Sequence, residues 1–265
     1  MYSREIVDEA LKPRALGWTR QRIASTCGVS QRAVSRWLNE TRRNSRAEAD
    51  RTTYCPRRSD GALREEAYAY VLGTYLSDGH IVEIRHKPGL HTLSVFYDKK
   101  YPQLIAYCQV AMESVLPVKA CRVKRPGCIE IKSYSKHWTC VFPQHGSGKK
   151  HERPILLQPW RQRIVKEHSE ALIRGLMHSD GCRTINRTAK RRPDGAVEYH
   201  EYPRYHFTNV STDIIGVFTH ALDRLGIAWR VHVDKREPRG RDAHIVSISR
   251  KDAVAVMERV VGPKY

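Results

Sequence analysis

Two carboxylates in a repeated sequence pattern are the clearest candidates for chemistry in this chain. The pattern apolar-x-Gly-x-x-x-x-Asp-Gly occurs over residues 71–79 and again over residues 173–181. It places Asp78 and Asp180 at corresponding positions of the two copies. A repeat at the spacing of half a domain indicates two related halves that pack against each other. We therefore expect the two aspartates to form a paired acidic centre where the halves meet.

Paired carboxylates next to a phosphate make a site of hard oxygen ligands that suits Mg²⁺. A metal ion held there lowers the pKa of its bound water and stabilises the charge of a phosphate under attack. Two like charges close together also cost stability unless a cation lies between them. That cation is a metal ion or, alternatively, a lysine or arginine. The other interpretation of each aspartate is a helix-terminal residue that bonds to the following turn, and the duplication favours the metal centre.

The charge balance of the chain indicates a polyanionic partner. Its 265 residues contain 47 Lys and Arg against 28 Asp and Glu, a formal net charge of +19. Nucleic acid is the simplest such partner. Anionic membrane is the alternative, but the chain has no long apolar run and no helix that combines a basic face with a broad apolar one.

Cysteine usage and the N-terminus give an expected location. Residues 1–5 include no apolar segment of a secretory signal. The seven cysteines are scattered without tandem CxxC spacing, which favours reduced thiols over a disulfide framework. We expect a cytoplasmic, nucleoid-associated protein.

Each aspartate needs a helix to position it, and the sequence predicts one in each half. Residues 68–76 are apolar on nearly every side, as a helix buried between two bodies must be. Gly73 and Gly175 would let the two motif helices approach closely. The order α-β-β-α-β-β-α is predicted twice, which makes the fold class α+β. The predicted halves cover residues 63–142 and 169–265, and a glycine-rich, basic linker over 143–168 joins them.

Residues 1–40 are predicted to form a small helical domain. Thr19 caps a helix over 20–26, Gly28 permits a tight turn, and Ser30 caps the next helix. This arrangement resembles the DNA-binding helix-turn-helix; the alternative is a three-helix bundle with a solvated basic face. Residues 41–62 are predicted to be a basic linker. The residues expected to contact DNA from this domain are Gln31, Arg32, Ser35 and Arg36.

The two motifs and the order of elements resemble the LAGLIDADG homing endonucleases, in their single-chain form with two motifs, over roughly residues 62–265. The resemblance implies that the motif helices pack side by side at a pseudo-twofold axis. Each half would contribute a curved antiparallel sheet to a saddle over the DNA major groove. It also implies that Asp78 and Asp180 are catalytic residues and ligands of Mg²⁺ or another divalent cation.

A basic residue near the end of each half is also implied by the resemblance. Lys132, in the strand before the last helix of the first half, matches this catalytic position, with Lys136 as a second candidate. The second half has no lysine in the corresponding strand, where Arg250 is the nearest cation and Lys251 follows. Double-strand cleavage, nicking and loss of cleavage therefore all remain open. The motif position occupied by His178 also departs from the family pattern, but that position is usually structural.

Alternation along the strands of the second half predicts which side chains face DNA. Arg204, His206 and Thr208 share one side of their strand, whereas Tyr205 and Phe207 share the other. Polar and basic side chains on strands suit contacts with base edges and phosphates; the alternative is a solvated polar face. Double-stranded DNA is the expected partner, bound by a monomeric pseudo-dimer. The strand residues predicted to bind DNA are Arg183, Arg187, Arg204 and His206.

Two functions follow, from different classes. The first is a Mg²⁺-dependent, site-specific DNA endonuclease whose helix-turn-helix extends the recognition site. The second is a cleavage-deficient transcriptional regulator with the same two domains. Both aspartates favour the enzyme, whereas the missing second-half lysine and the helix-turn-helix favour the regulator. An RNA-splicing maturase is a third class, which the DNA-reading domain disfavours, and the absence of splicing-junction residues predicts a freestanding protein.

Zinc sites are conceivable by residue type alone. Cys55 lies in what resembles half of a zinc knuckle, without a second cysteine at the needed spacing. The histidines and cysteine around the linker match no zinc-binding pattern, and packing in the core is the preferred interpretation of the cysteine. These residues are His137, Cys140, His145 and His151.

Overall fold

The structure is a computed structural model that describes residues 4–39, 63–142, 145–146, 148–236, 238 and 240–262. The chain separates into two compact units, Met1–Ala62 and Leu63–Tyr265. The predicted basic linker over 41–62, with Cys55, lies outside the described residues. Among the helices described, none is both long and apolar enough to cross a membrane.

The first unit contains three helices, α1 (Arg4–Ala15), α2 (Arg20–Thr26) and α3 (Gln31–Asn39). Helix α2 has the predicted bounds, and the Thr19 side chain caps it by accepting from the main-chain nitrogen of Arg22. The turn before α3 uses Gly28 at a φ of +62°, a conformation that a side chain disfavours. The apolar residues of the three helices form one small core, made of Val7, Ala10, Ile23, Ala24, Val34 and Trp37.

The second unit begins with the first αββαββα half. Its elements are α4 (Glu65–Leu76), β1 (His80–Glu83), β2 (His91–Asp98), α5 (Pro102–Val115), β3 (Ala120–Arg125), β4 (Cys128–Ser135) and α6 (Trp138–Val141). The segment between the halves, predicted only as a linker, contains a 3₁₀ turn over Lys150–Glu152 and a helix α7 over Pro159–Glu167. Proline in the first turn of α7 is a common start of a helix.

The second half repeats this order, so the predicted succession of elements is confirmed. Its elements are α8 (Ser169–Ser179), β5 (Gly181–Arg191), β6 (Val197–Asn209), α9 (Thr212–Arg224), β7 (Arg230–Asp234), β8 (Ala243–Ile248) and α10 (Lys251–Val261). Each half contains one four-stranded antiparallel sheet, ordered β1-β2-β4-β3 in the first and β5-β6-β8-β7 in the second. Strands β5 and β6 are longer than the runs 183–188 and 202–209 that the sequence predicts as strands.

The motif helices α4 and α8 pack backbone against backbone. A Cβ atom added to Gly73 would lie 2.6 Å from the Leu172 carbonyl oxygen and 2.7 Å from the Leu176 nitrogen. A Cβ atom added to Gly175 would overlap the Tyr70 carbonyl oxygen. The close approach predicted from the two glycines is therefore confirmed, and it fixes the ends of both helices relative to each other.

A buried hydrogen-bond chain crosses the helix pair at His178, the motif position that departs from the family pattern. The His178 Nε2 atom lies 2.7 Å from the Val261 carbonyl oxygen, and Nδ1 lies 3.1 Å from the Tyr70 hydroxyl. Because a carbonyl can only accept, Nε2 donates to Val261 and Nδ1 accepts from Tyr70 in the neutral ring. His178 thus links α4, α8 and α10 inside the core.

Candidate functional site

The structure brings Asp78 and Asp180 to the same end of the α4–α8 pair. The Ser179 hydroxyl, which precedes Asp180, donates to Asp78 Oδ2 at 2.9 Å. The Asp78 main-chain nitrogen donates back to the Ser179 Oγ atom at 3.2 Å. Asp78 is exposed and Asp180 is half-buried, so solvent or a ligand can reach this end of the helix pair.

A lysine from the segment between the halves lies in this centre, and the sequence did not single it out. The Lys150 Nζ atom donates to the carbonyl oxygens of Tyr75, Ser77 (2.5 Å) and Gly79 (2.9 Å). Main-chain carbonyls at the end of a helix have no partner within the helix. The ammonium group therefore supplies the partners that the end of α4 lacks.

Lys150 is also electrostatically coupled to both carboxylates. Burial lowers the pKa of Lys150 to about 8, while the charges of Asp180 and Asp78 oppose this effect and Arg153 adds to it. Removal of an ammonium group from water disfavours its charged form, and nearby carboxylates favour it. The site therefore contains a protein cation in addition to its two acidic groups.

The register of the strands shows which side chains of the first half lie on the face of the sheet next to the aspartates. Neighbouring strands align His80, Ser94, Lys132 and Cys121 in one row, and paired residues lie on the same face of a sheet. The row begins two residues after Asp78. Lys132, predicted to be catalytic, therefore lies on the polar face that adjoins the aspartate.

Lys132 belongs to a cluster of charges on that face. Its Nζ atom lies 3.4 Å from Glu130 Oε1, and Glu130 also accepts from Arg125 at 2.6 Å and from Ser94 at 2.8 Å. Burial alone would raise the pKa of Glu130, but the hydrogen bonds from Arg125 and Ser94 and the charge of Lys132 hold it below its ordinary value. Glu130 thus stays ionised and orients the two cations.

The charge cluster extends to His80, next to the aspartate. Burial lowers the pKa of His80; Glu130 raises it in part, and Lys150 and Lys132 lower it further. The polar face of the first sheet and the end of the helix pair are therefore one electrostatic environment. His80 is held toward its neutral form within it.

The equivalent row of the second half contains Cys182, His206, Ser247 and Arg230. It begins two residues after Asp180, so Ser247 stands where the first half has Lys132. The His206 Nδ1 atom lies 3.0 Å from Ser247 Oγ. Burial, and secondarily the charge of Arg204, lowers the pKa of His206.

In the second half, the basic residue that shares the face of Ser247 is not Arg250, the basic residue nearest to it in sequence. Arg250 lies in the exposed turn before α10, where it pairs with Asp252 at 2.8 Å. Arg230, on the edge strand β7, shares the row of Ser247 instead. The sequence missed Arg230 because only the pairing of β7 with β8 places it there.

Two of the four predicted DNA-binding residues on the strands lie on the polar face. Arg204 and His206 point away from the buried Tyr205 and Phe207, as predicted. Arg183 shares a face with its register partner Tyr205, on the core side of the sheet, and its contact with DNA stays a prediction. There it donates to Glu258 of α10 at 2.8 Å.

Arg187 has the same parity along β5 as Arg183 and lies on the same face of the strand. It is exposed there, above the Tyr199 ring at 4.0 Å and 3.6 Å from Glu201, and its contact with DNA also stays a prediction. The residues of β5 that share the face of Arg204 include Cys182, Thr184 and Asn186. Alternation within one strand does not show which of its faces matches a given face of the next strand, and only the register relates the two.

The predicted contact residues of the N-terminal unit lie on helix α3. Gln31, Arg32 and Arg36 are exposed, and Ser35 is half-buried. Val34 and Trp37 point into the small core instead. Ser35 also accepts from Arg20 of α2 at 3.5 Å. The predicted set therefore forms one polar, basic face of the helix.

The donor set at the helix ends fits a hard divalent cation. Mg²⁺ is usually bound through one or two carboxylates, with water and phosphate oxygens completing its shell. Asp78 and Asp180 supply two carboxylates at an open position, and Lys150 is a neighbouring positive charge that such an ion must tolerate. The remaining ligands would be oxygens from outside the protein.

Among the described residues, one group of three side chains could hold a metal ion by geometry alone. It lies in the second unit, away from the aspartate pair. Glu65, Glu167 and His168 have ligand atoms within 4.8 Å of one another. Arg163 bonds to both glutamates, which accounts for the cluster as an ion pair. The residues considered for zinc do not form such a group within the described chain, although Cys140 Sγ lies 3.7 Å from His137 Nδ1.

Comparisons with known proteins agree with this geometry. Residues 167–262 match the family described as LAGLIDADG-like domain. A structure of mesophilic variants of the homing endonuclease I-DmoI aligns with a TM-score of 0.50 and 14% identity, covering 76% of this chain and 91% of that one. The crystal structure of I-DmoI in complex with DNA and Mn aligns with a TM-score of 0.50 and 17% identity, covering 76% and 99%.

Curated protein sequences give no match to the chain. At these identities the structural similarities establish the fold. The family match covers the half that contains Asp180, and the first half repeats its motif and element order. Residues 167–262 are therefore similar to a LAGLIDADG-like domain, and the two halves together have the LAGLIDADG fold that the paired motifs predict.

Proposed function

We propose that this protein is a site-specific endonuclease that uses a divalent metal to hydrolyse phosphodiester bonds of double-stranded DNA. The observation that carries the proposal is the pair of aspartates at one open end of α4 and α8, where Asp78 is bonded to Ser179, the residue before Asp180. An aspartate that only stabilises the end of a helix needs neither a second aspartate beside it nor access from solvent.

DNA as the substrate is supported by charge and by the strand faces. The net charge of +19 provides the attraction to phosphates that dominates affinity for DNA. Polar and basic residues follow Asp78 and Asp180 on the same faces of the two sheets. One of the structures that share the fold, I-DmoI, was solved in complex with DNA and Mn.

The residues divide the chemistry among them. Asp78 and Asp180 would hold the metal, which when bound supplies an activated water and neutralises charge on the phosphate. Lys132 is positioned by Glu130 to neutralise a phosphate at the first half. In the second half Arg230 takes this role, while the neutral His206 holds the Ser247 hydroxyl. We expect the two strands to be cut at unequal rates because these two sets differ.

A regulator that binds DNA without cutting it is the second candidate. Ser247 in the place of Lys132 is the specific observation that favours it. A hydroxyl cannot neutralise a phosphate charge as an ammonium does. Under this alternative the polar faces bind DNA and the aspartates are inherited without being used.

Cleavage of a plasmid library that carries random sites separates the two candidates. We expect incubation with Mg²⁺ to produce DNA ends clustered at one sequence, and EDTA to abolish them. Sequencing of both strands measures the ends and their strand bias. Protected sequences without ends would support the regulator, and neither ends nor protection would contradict both candidates.

We further propose that the N-terminal unit binds DNA as a helix-turn-helix, with α3 in the major groove. Arg32→Ala is expected to weaken binding to the selected site by 1–3 kcal/mol, or roughly 5- to 150-fold, as the loss of a base contact typically does. Gel-shift titration measures the affinity. Glu9→Gln, on the exposed side of α1, is the control. Equal affinity of Arg32→Ala and wild type would overturn the role of α3.

A further inference from the structure

Lys150 has no part in the roles assigned above, although it donates hydrogen bonds to the main chain on both sides of Asp78. We propose that Lys150 is a built-in cation of the carboxylate pair, a positioning residue that holds the main chain on both sides of Asp78 and partly neutralises Asp78 and Asp180 before any metal binds. The inference rests on the proposed metal-binding function of the pair.

The hydrogen bonds of Lys150 are directed at the segment that carries the aspartate. Two of its three acceptors are the carbonyl oxygens of Ser77 and Gly79, which flank Asp78, and the third belongs to Tyr75. An ammonium group has three donors and no acceptor, so all of its hydrogen-bonding capacity is used here. A positive charge at a helix C-terminus is also stabilised by the helix dipole.

The segment that carries Lys150 is tied to both halves. Arg153 donates to the carbonyl oxygens of Gly146 (2.9 Å) and Gly148 (3.0 Å), which closes the loop upon itself. The carbonyl oxygen of His151 accepts from Arg241, in the β7–β8 connection of the second half, at 3.0 Å. Lys150 therefore bonds to the first half while its neighbour bonds to the second, and the ammonium is held at the seam.

Two clefts meet at Lys150. One, of about 350 Å³, is also lined by Asp180 and Asn209. The other, of about 290 Å³, is also lined by His80 and His145. Lys150 thus lines both clefts, one of which also contains Asp180, and its charge acts on a ligand that enters either one.

Removal of this charge should strengthen metal binding, which a purely structural lysine would not do. We expect Lys150→Gln to bind Mn²⁺ about tenfold more tightly than wild type, because a like charge beside the ion is lost. Lys150→Arg keeps the charge and should bind as wild type does. Titration of the full-length protein with Mn²⁺, followed by electron paramagnetic resonance without DNA, measures the affinity.

The matched control is Lys149→Gln, at an exposed neighbour that pairs with Glu152 at 3.7 Å, and it should leave the affinity unchanged. Lys150→Met is the second variant without the charge, and circular dichroism verifies that each variant is folded. Equal or weaker Mn²⁺ binding by both charge-removing variants would overturn the inference while leaving the metal centre intact. If neither wild type nor any of the Lys150 variants bound Mn²⁺ in a way that Asp78→Asn abolishes, the proposed function would be overturned as well.

Discussion

Gly175→Ala is expected to lower the free energy of unfolding of the second unit by about 3 kcal/mol, the upper range for overpacking a well-packed core. The added methyl group would overlap the Tyr70 carbonyl oxygen and lie 3.1 Å from Gly73 Cα. Both are main-chain atoms of the partner helix, so neither can move aside as a flexible side chain would. The motif helices would have to separate. Urea unfolding followed by circular dichroism measures the change.

The same substitution at Gly216 is the matched control. Gly216 lies in helix α9, and a Cβ atom added there meets nothing within 4 Å. Alanine should stabilise that helix by roughly 0.5–1 kcal/mol. If Gly175→Ala unfolded at the same urea concentration as Gly216→Ala, the close packing of α4 against α8 would be contradicted.

Asp78→Asn and Asp180→Asn are each expected to reduce DNA cleavage on the order of 10³-fold. The carboxamide keeps the shape of the side chain, but it removes a negative ligand that a hard cation requires. Affinity for DNA should stay equal or rise, because each change removes a negative charge that faces phosphates. Cleavage of the selected site and gel-shift titration, done in parallel, measure the two effects.

Asp98→Asn is the control for the aspartate variants. Asp98 lies at the end of β2, where it pairs with Lys100 at 3.2 Å, and it has no place in the aspartate pair. It should cut as wild type does. Cleavage by Asp78→Asn within tenfold of wild type would show that the carboxylate pair does not carry the chemistry.

Local sequence signals were sufficient for the order of elements in the two halves and for the position of the aspartates at the ends of the motif helices. The cap at Thr19 and the glycine after α2 determine the bounds of that helix. The two motif glycines mark where two backbones must touch, since only glycine permits that contact. Each of these signals depends on a few residues that are neighbours in the chain, so a single sequence is enough to identify it.

Contacts between distant segments could not be predicted in the same way. Arg183 has the right type and spacing for a DNA contact, yet its pairing with Tyr205 places it on the core side. Arg230 enters the second-half row only through its pairing with β8. Lys150 lies in a loop without periodicity, and three bonds to a helix end far away in sequence define its role.

Localised cleavage of the protein by bound iron tests most directly whether the two aspartates form one metal centre. Fe²⁺ that replaces the metal generates radicals with ascorbate and peroxide, and these cut the nearest main chain. We predict fragments that end near Asp78 and near Asp180, both lost in Asp78→Asn and both suppressed by excess Mg²⁺. Fragments that instead end near Glu65 and Glu167, or cuts unaffected by Asp78→Asn, would contradict the paired centre.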